Sequence, residues 1–193
     1  MQSLILASQS PRRAELLAQM GFEFSIIAAD VDESALPEEA PTQLVSRLAQ
    51  LKAQTILKQL NSEILKQSVV LAADTIVVID EEVMGKPSGF DEFHRMMQAL
   101  SGATHTVMTA ISVCDTKKVE SNLICTDVTF CHLNEADIDR YWQSGEPKDK
   151  AGGYGIQAIG GQFVKTINGS YSAVVGLPMV ETREMLAEFG VGQ

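Results

Sequence analysis

Residues 69–79 read Val-Val-Leu-Ala-Ala-Asp-Thr-Ile-Val-Val-Ile, an apolar and largely β-branched run interrupted only by Asp74 and Thr75. Branching at Cβ favours extended backbone and a pleated surface, so this is the strongest strand signal in the chain. Asp74 is out of character with it. Burial disfavours an ionised carboxylate unless a cation, a metal or hydrogen bonds hold it, which makes a lone Asp in an apolar strand a site candidate. The plainer alternative is an Asp that caps a neighbouring turn at a strand end.

The rest of the chain alternates strand and helix signals. Residues 4–7 read as a buried strand and residues 11–20 as a helix with Leu16, Leu17 and Met20 inward, stopped by Gly21. A second strand is expected over residues 24–29, then a long helix over residues 42–60 with Thr42 as its cap. At about 100° per residue, Leu44, Val45, Leu48, Ala49 and Ile56 form one apolar arc with Lys52 in its middle. That lysine either snorkels past the core or pairs with an anion, because an unpaired buried ammonium costs several kcal/mol. As an isolated inward ammonium, its exchange for Met is expected to leave stability unchanged or improved. Further helices are expected over residues 93–100, closed by Ser101-Gly102, from the cap Asn134 through Trp142, and over residues 178–189. Residues 106–114 and 119–132 read as a hairpin joined through residues 115–118, and Asn168-Gly169-Ser170 as a hairpin turn. Together these signals describe an α/β chain.

Composition narrows the function classes. With 45% hydrophobic and 21% charged residues over 193 positions, the chain reads as one globular domain rather than a disordered segment. No stretch reaches about 18 apolar residues, and the first apolar run is too short for a signal-peptide core, so a cytoplasmic location is expected. Cys114, Cys125 and Cys131 are odd in number and lack C-x-x-C spacing, which argues against a disulfide framework and a zinc site. A net charge of −10 repels nucleic acid and membrane surfaces, so neither is an expected partner. Residues 153–158 fit G-x-G-x-x-A but follow a polar loop rather than a strand, and a dinucleotide-binding reading fails on that context.

Against the acidic background, Ser8-Gln9-Ser10-Pro11-Arg12-Arg13 opens a helix with two arginines in its first turn. Ser at the N-cap and Pro at the first helical position are favourable, but the helix dipole disfavours cations there. Free backbone N–H groups and two guanidiniums would together suit a phosphate; the alternative is two solvated arginines. His94, His105 and His132 are scattered, and no Gly-x-Ser-x-Gly elbow supports a hydrolytic triad. Arg12, Arg13, Glu33, Lys52, Asp74, Lys86 and Gln157 remain as oddly placed polar residues. Cations and carboxylates together suggest metal-assisted phosphate hydrolysis.

The residues Ser8 to Arg13, Asp32-Glu33, Lys52-Ala53, Ala73-Asp74-Thr75, Gly85-Lys86-Pro87, Ser101-Gly102, Thr109-Ala110 and Gly145-Glu146-Pro147 occur in the order seen in the Maf family. The resemblance spans nearly the whole chain. It implies a nucleoside triphosphate pyrophosphatase that releases a nucleoside monophosphate and pyrophosphate. The implied fold is a single domain over residues 1–193, an elongated mixed β-sheet flanked by helices in two lobes around a cleft, similar to inosine triphosphate pyrophosphatase. Residues 149–157, 168–171 and 175–178 resemble the branch acting on dTTP and UTP; the branch preferring 7-methylguanosine triphosphate differs there. Carried over by position, Asp74 would be the proton acceptor, and Arg12, Thr75 and Gln157 would set base specificity. Ser8, Arg13, Lys52 and Lys86 would bind phosphates, and Glu33 with Asp74 would hold a divalent metal cation, Mg²⁺ or Mn²⁺. Many relatives carry Glu immediately before the lysine of the long helix, where this chain has Leu51. The resemblance also leaves room for a homodimer, for modified pyrimidine nucleotides as substrates, for a septum-formation inhibitor that acts by binding, and for a pyrophosphatase of non-standard purine triphosphates.

Overall fold

A computed structural model of the chain describes residues 2–193. Its strands are β1 (Ser3–Leu6), β2 (Phe24–Ile26), β3 (Ser68–Ile79), β4 (Glu82–Met84), β5 (Thr104–Cys114), β6 (Val119–Phe130) and β7 (Val164–Asn168). The helices are α1 (Pro11–Gln19), α2 (Pro41–Gln59), α3 (Ser62–Leu65), α4 (Phe90–Leu100), α5 (Glu135–Gln143), α6 (Tyr171–Val175) and α7 (Met179–Glu188). The seven strands form one mixed sheet in the order β2-β1-β3-β5-β6-β7, with β4 also on β3. β1 lies parallel to both β2 and β3, and parallel neighbours need a crossover; α1 and α2 lie in those two connections. The fold is therefore mixed α/β, as expected.

The chain groups into two compact units. The first runs through Asp74 and takes in Thr109–Ile124 and Gly176–Gln193; the second comprises Thr75–Met108 and Cys125–Val175. In the first, Val70 and Ala72 occupy alternate positions of β3, hence one face, and share a buried cluster with Ile5, Ala7 and with Ala53 and Ile56 of α2. The buried residues of α2 are Leu44, Val45, Leu48, Ala49, Lys52, Ala53 and Ile56, so its apolar arc contains the lysine as the periodicity predicts. In the second unit, Val77 of β3 clusters with Phe93 and Met97 of α4, Phe130 of β6, Tyr141 of α5, Tyr154 and Phe163. Edge-on aromatic pairs tie this cluster together, with centroids 5.9 Å apart for Phe93–Tyr141 and 4.8 Å for Phe130–Tyr154.

Three local expectations change. Thr42 does not cap α2: Pro41 takes the first helical position, and the Gln43 side chain accepts from the Ala40 N–H at 3.2 Å. The second strand stops at Ile26, although the Ile27 N–H still donates to the Leu6 carbonyl at 3.1 Å. Asn168-Gly169-Ser170 joins a strand to a helix rather than two strands. Ser170 accepts from the Ala173 N–H through its hydroxyl at 3.3 Å and from the Val174 N–H through its carbonyl at 3.2 Å, which starts α6.

Candidate active site

The apolar arc of α2 and the strand β3 bring together the two residues that each looked misplaced. Lys52 and Asp74 are both buried, and Lys52 Nζ lies 2.6 Å from Asp74 Oδ1. The same nitrogen lies 2.6 Å from Glu33 Oε1. Lys52 is therefore paired rather than snorkelling, and Asp74 is a mid-strand carboxylate rather than a turn cap. The Asp74 pair is buried; the Glu33 side chain is half exposed, so solvent screens that pair more.

Glu33 comes from the irregular segment between β2 and α2, and α2 itself holds that segment. Arg47 donates from Nε and Nη2 to the Glu39 carboxylate at 2.6 and 2.8 Å, and from Nη2 to the Ser34 carbonyl at 3.0 Å. The Arg47 hydrogen bonds hold the Glu39 carboxyl near 2, well below its ordinary value, with help from the Leu36 N–H. Sequence reasoning passed over Arg47, because nothing in a run of residues shows which loop a helix will fasten.

At the start of α1, Ser10 occupies the N-cap without a side-chain bond, and Pro11 takes the first helical position. Ser8 is buried, and its hydroxyl accepts from the Ser10 N–H at 3.1 Å. The first turn holds no acidic side chain. Arg13 donates from Nε to the Gly176 carbonyl at 2.8 Å and from Nη1 to the Ser8 hydroxyl at 3.5 Å. Burial pushes the Arg13 guanidinium below its ordinary value, Asp74 and Glu33 push it back up, and Arg12 pushes it further down. Arginine starts so high that it stays charged at neutral pH. Arg13 thus lies within electrostatic reach of Arg12 and of Asp74 and Glu33, the two carboxylates that also pair with Lys52.

Glu33 and Asp74 converge on the Lys52 ammonium, each with an oxygen 2.6 Å from its nitrogen, so a cation held by both would bind through their remaining lone pairs. Hard carboxylate oxygens suit a small divalent cation that completes its shell with water and substrate phosphate. No group of three or more His, Cys, Asp or Glu side chains able to hold a metal occurs among the described residues. The pair fits a cation shared with a phosphate, not a cage that would hold one alone.

Thr75, Lys86 and Gln157 fall in the second unit. Thr75 shares a strand face with Val77, two residues on. Gly152 packs at Val77, where an added Cβ would lie 2.8 Å from the Val77 side chain, and its φ of +67° also favours glycine. The Gly152 N–H donates to the Gly85 carbonyl at 3.0 Å, fastening the glycine loop beside the exposed Lys86. Gln157 is exposed on a turn five residues further along. Tyr141 and Glu146 bond to the two shoulders of that turn; the sequence marks Glu146 only as part of the Gly145-Glu146-Pro147 motif and Tyr141 not at all.

On a mixed α/β scaffold, a buried lysine–carboxylate couple thus lies within electrostatic reach of Arg13. Residues 3–189 match the family described as Maf-like protein, and the chain belongs to that family. A protein of Pseudoalteromonas atlantica named dTTP/UTP pyrophosphatase is 54% identical over 188 residues, 97% of each chain. Proteins of the same name from Colwellia psychrerythraea and Shewanella frigidimarina are 52% and 54% identical, covering 98% and 95% of this chain and 89% and 95% of their own. Among solved structures, a Vibrio cholerae protein aligns over 75% of this chain and 71% of its own at 11% identity and a TM-score of 0.38, too slight a likeness to bear on function.

Proposed function

We propose that this chain is a nucleoside triphosphate pyrophosphatase that hydrolyses dTTP and UTP to the nucleoside monophosphate and pyrophosphate. The observation that carries the reading is the Lys52 ammonium held between Asp74 and Glu33 beside Arg13. Relatives matched over nearly the whole chain, with about half of the residues identical, are named dTTP/UTP pyrophosphatase. In this reading Asp74 accepts a proton from the water that attacks the α-phosphorus, and the bond from that phosphorus to the bridging oxygen breaks to release pyrophosphate. Ser8, Arg13, Lys52 and Lys86 bind and neutralise the phosphates. Glu33 and Asp74 hold a divalent cation, Mg²⁺ or Mn²⁺, which when bound supplies positive charge to the phosphate oxygens.

Arg12, Thr75 and Gln157 read the base. Uracil and thymine present two carbonyls flanking one N–H, and a Gln amide offers both a donor and an acceptor to that edge. Cytosine replaces the N–H by an acceptor and one carbonyl by an amine, so the same groups meet it with unpaired partners. The reading places the reaction in the cytoplasm with residues 1–193 as one catalytic domain; no helix among the described residues is long and apolar enough to cross a membrane.

Pyrophosphate release from dTTP, UTP, CTP, ITP and 7-methylguanosine triphosphate, with Mg²⁺ and with Mn²⁺, tests it. dTTP and UTP are expected well ahead of the rest, and Asp74→Asn is expected to lose at least 100-fold in kcat while keeping the fold. A folded, fully active Asp74→Asn variant removes Asp74 as the proton acceptor. Equal turnover of CTP and UTP removes the specificity reading.

A further inference from the structure

Gln157 lies on an exposed turn, and an exposed glutamine selects a base only if its backbone is held still. Both shoulders of that turn are fastened to α5 and the residues that follow it. Tyr141, on α5, is fully buried. Its hydroxyl accepts from the Gly155 N–H at 3.0 Å and donates to Glu146 Oε1 at 2.9 Å. Glu146 then accepts from the backbone beyond the turn: Oε2 from the Ile159 N–H at 2.9 Å and Oε1 from the Gly160 N–H at 3.1 Å. One phenol and one carboxylate thereby satisfy three backbone donors, one two residues before Gln157 and the others two and three residues after it.

The fit of the turn to these groups is close. A Cβ on Gly160 would lie 2.5 Å from the Tyr141 hydroxyl and 2.8 Å from the Gly155 carbonyl oxygen, so only glycine lets the two shoulders approach. Glu146 is itself tethered, its N–H donating to the Ser144 hydroxyl at 3.2 Å and its carbonyl accepting from Lys150 Nζ at 2.7 Å. Neutral backbone donors give a carboxylate stronger hydrogen bonds than an amide would receive. Gly145, with a φ of +77°, ends α5 and turns the chain so that Glu146 follows directly.

We propose that Glu146, acting with Tyr141, is a positioning residue for pyrimidine selection: it holds the 155–160 turn and so sets how well Gln157 discriminates uracil and thymine from cytosine. The inference rests on the reading of Gln157 as a base-contacting residue. Glu146→Gln keeps the size of the side chain but turns one acceptor into a donor that faces a donor. Tyr141→Phe keeps the aromatic packing and deletes the hydroxyl between Gly155 and Glu146.

The test compares kcat and KM for UTP and for CTP in Glu146→Gln, Tyr141→Phe, Gln157→Ala and the Glu146→Gln/Gln157→Ala double variant, alongside their melting temperatures. Both positioning variants are expected to lower the UTP-over-CTP ratio of kcat/KM about tenfold, chiefly through KM for UTP. The double variant is expected to discriminate no worse than Gln157→Ala alone, because Glu146 acts through that turn. If Gln157→Ala lowers the ratio while Glu146→Gln and Tyr141→Phe only lower the melting temperature, the pair is structural and the proposal is overturned. An unchanged ratio in Gln157→Ala removes the Gln157 reading instead. The proposal falls with that reading, because Glu146 and Tyr141 act only through Gln157.

Discussion

Lys52 holds two carboxylates with one nitrogen, and its value to the fold depends on what is left when it goes. Met in its place would pack on the same arc of α2, which is why an isolated inward ammonium could be exchanged without loss. The structure reverses that expectation, since Asp74 is buried against the ammonium. Removing one partner of a buried pair strands the other charge, a change that typically costs about 3–5 kcal/mol. Arg13 remains within electrostatic reach of Asp74, and Glu33 can turn to water, so the expected loss for Lys52→Met is lower, about 2 kcal/mol at pH 8. Urea denaturation of both proteins at pH 8 checks it; equal stabilities would mean that the pair contributes nothing. Phosphate binding should suffer too, with KM for UTP raised even where the variant is fully folded.

At the scale of elements, legibility followed the length of the pattern. β3 and α2 could be read closely because a long β-branched run and a long apolar arc each repeat one period many times. β7 and α6 have five residues each, too few to reveal a period, and the Asn-Gly-Ser between them mimics a hairpin turn. The site divides in the same way. Asp74 and Lys52 stood out because each breaks the pattern around it, but their pairing across 22 positions is a matter of packing that no local signal carries. Arg47, Tyr141 and Glu146 were illegible for the same reason. The β3–β4 hairpin yields a prediction of its own: its turn residues Asp80 and Glu81 both adopt positive φ, 49° and 68°, a conformation that suits Asn-Gly. Asp tolerates it; Glu gains nothing there, and an L-residue in that region costs about 1–2 kcal/mol. Glu81→Gly recovers part of that against the extra entropy of glycine, a net gain of about 0.5–1 kcal/mol. The melting temperature should rise by about 1–4 °C. A lowered melting temperature would mean that the turn is not strained at Glu81.

The whole molecule responds to acid through opposing terms. Its net charge of −10 is self-repelling, and protonation of exposed carboxylates relieves that repulsion. His105 acts against this relief. It is buried in the second unit, edge-on to Phe130 with centroids 5.1 Å apart, and one ring nitrogen lies 2.8 Å from the Tyr154 hydroxyl. Burial pushes its pKa down to about 4, with Asp127 pulling weakly the other way. In the unfolded chain the same imidazole takes its proton near its ordinary value of about 6.5. Between these values the unfolded state binds more protons than the folded one, so the His105 contribution is fully present above pH 6.5 and is lost as pH falls towards 4. The slope from this one group reaches about 1.4 kcal/mol per pH unit. Because charge repulsion changes equally in a variant that differs only here, comparison isolates the term. His105→Gln should be less stable than wild type at pH 7.5, where it has lost its packing against Phe130 and Tyr154. The deficit should narrow steadily down to pH 5, read by urea denaturation at half-unit steps. Parallel stability curves would show that His105 takes its proton in the folded state as easily as in the unfolded chain.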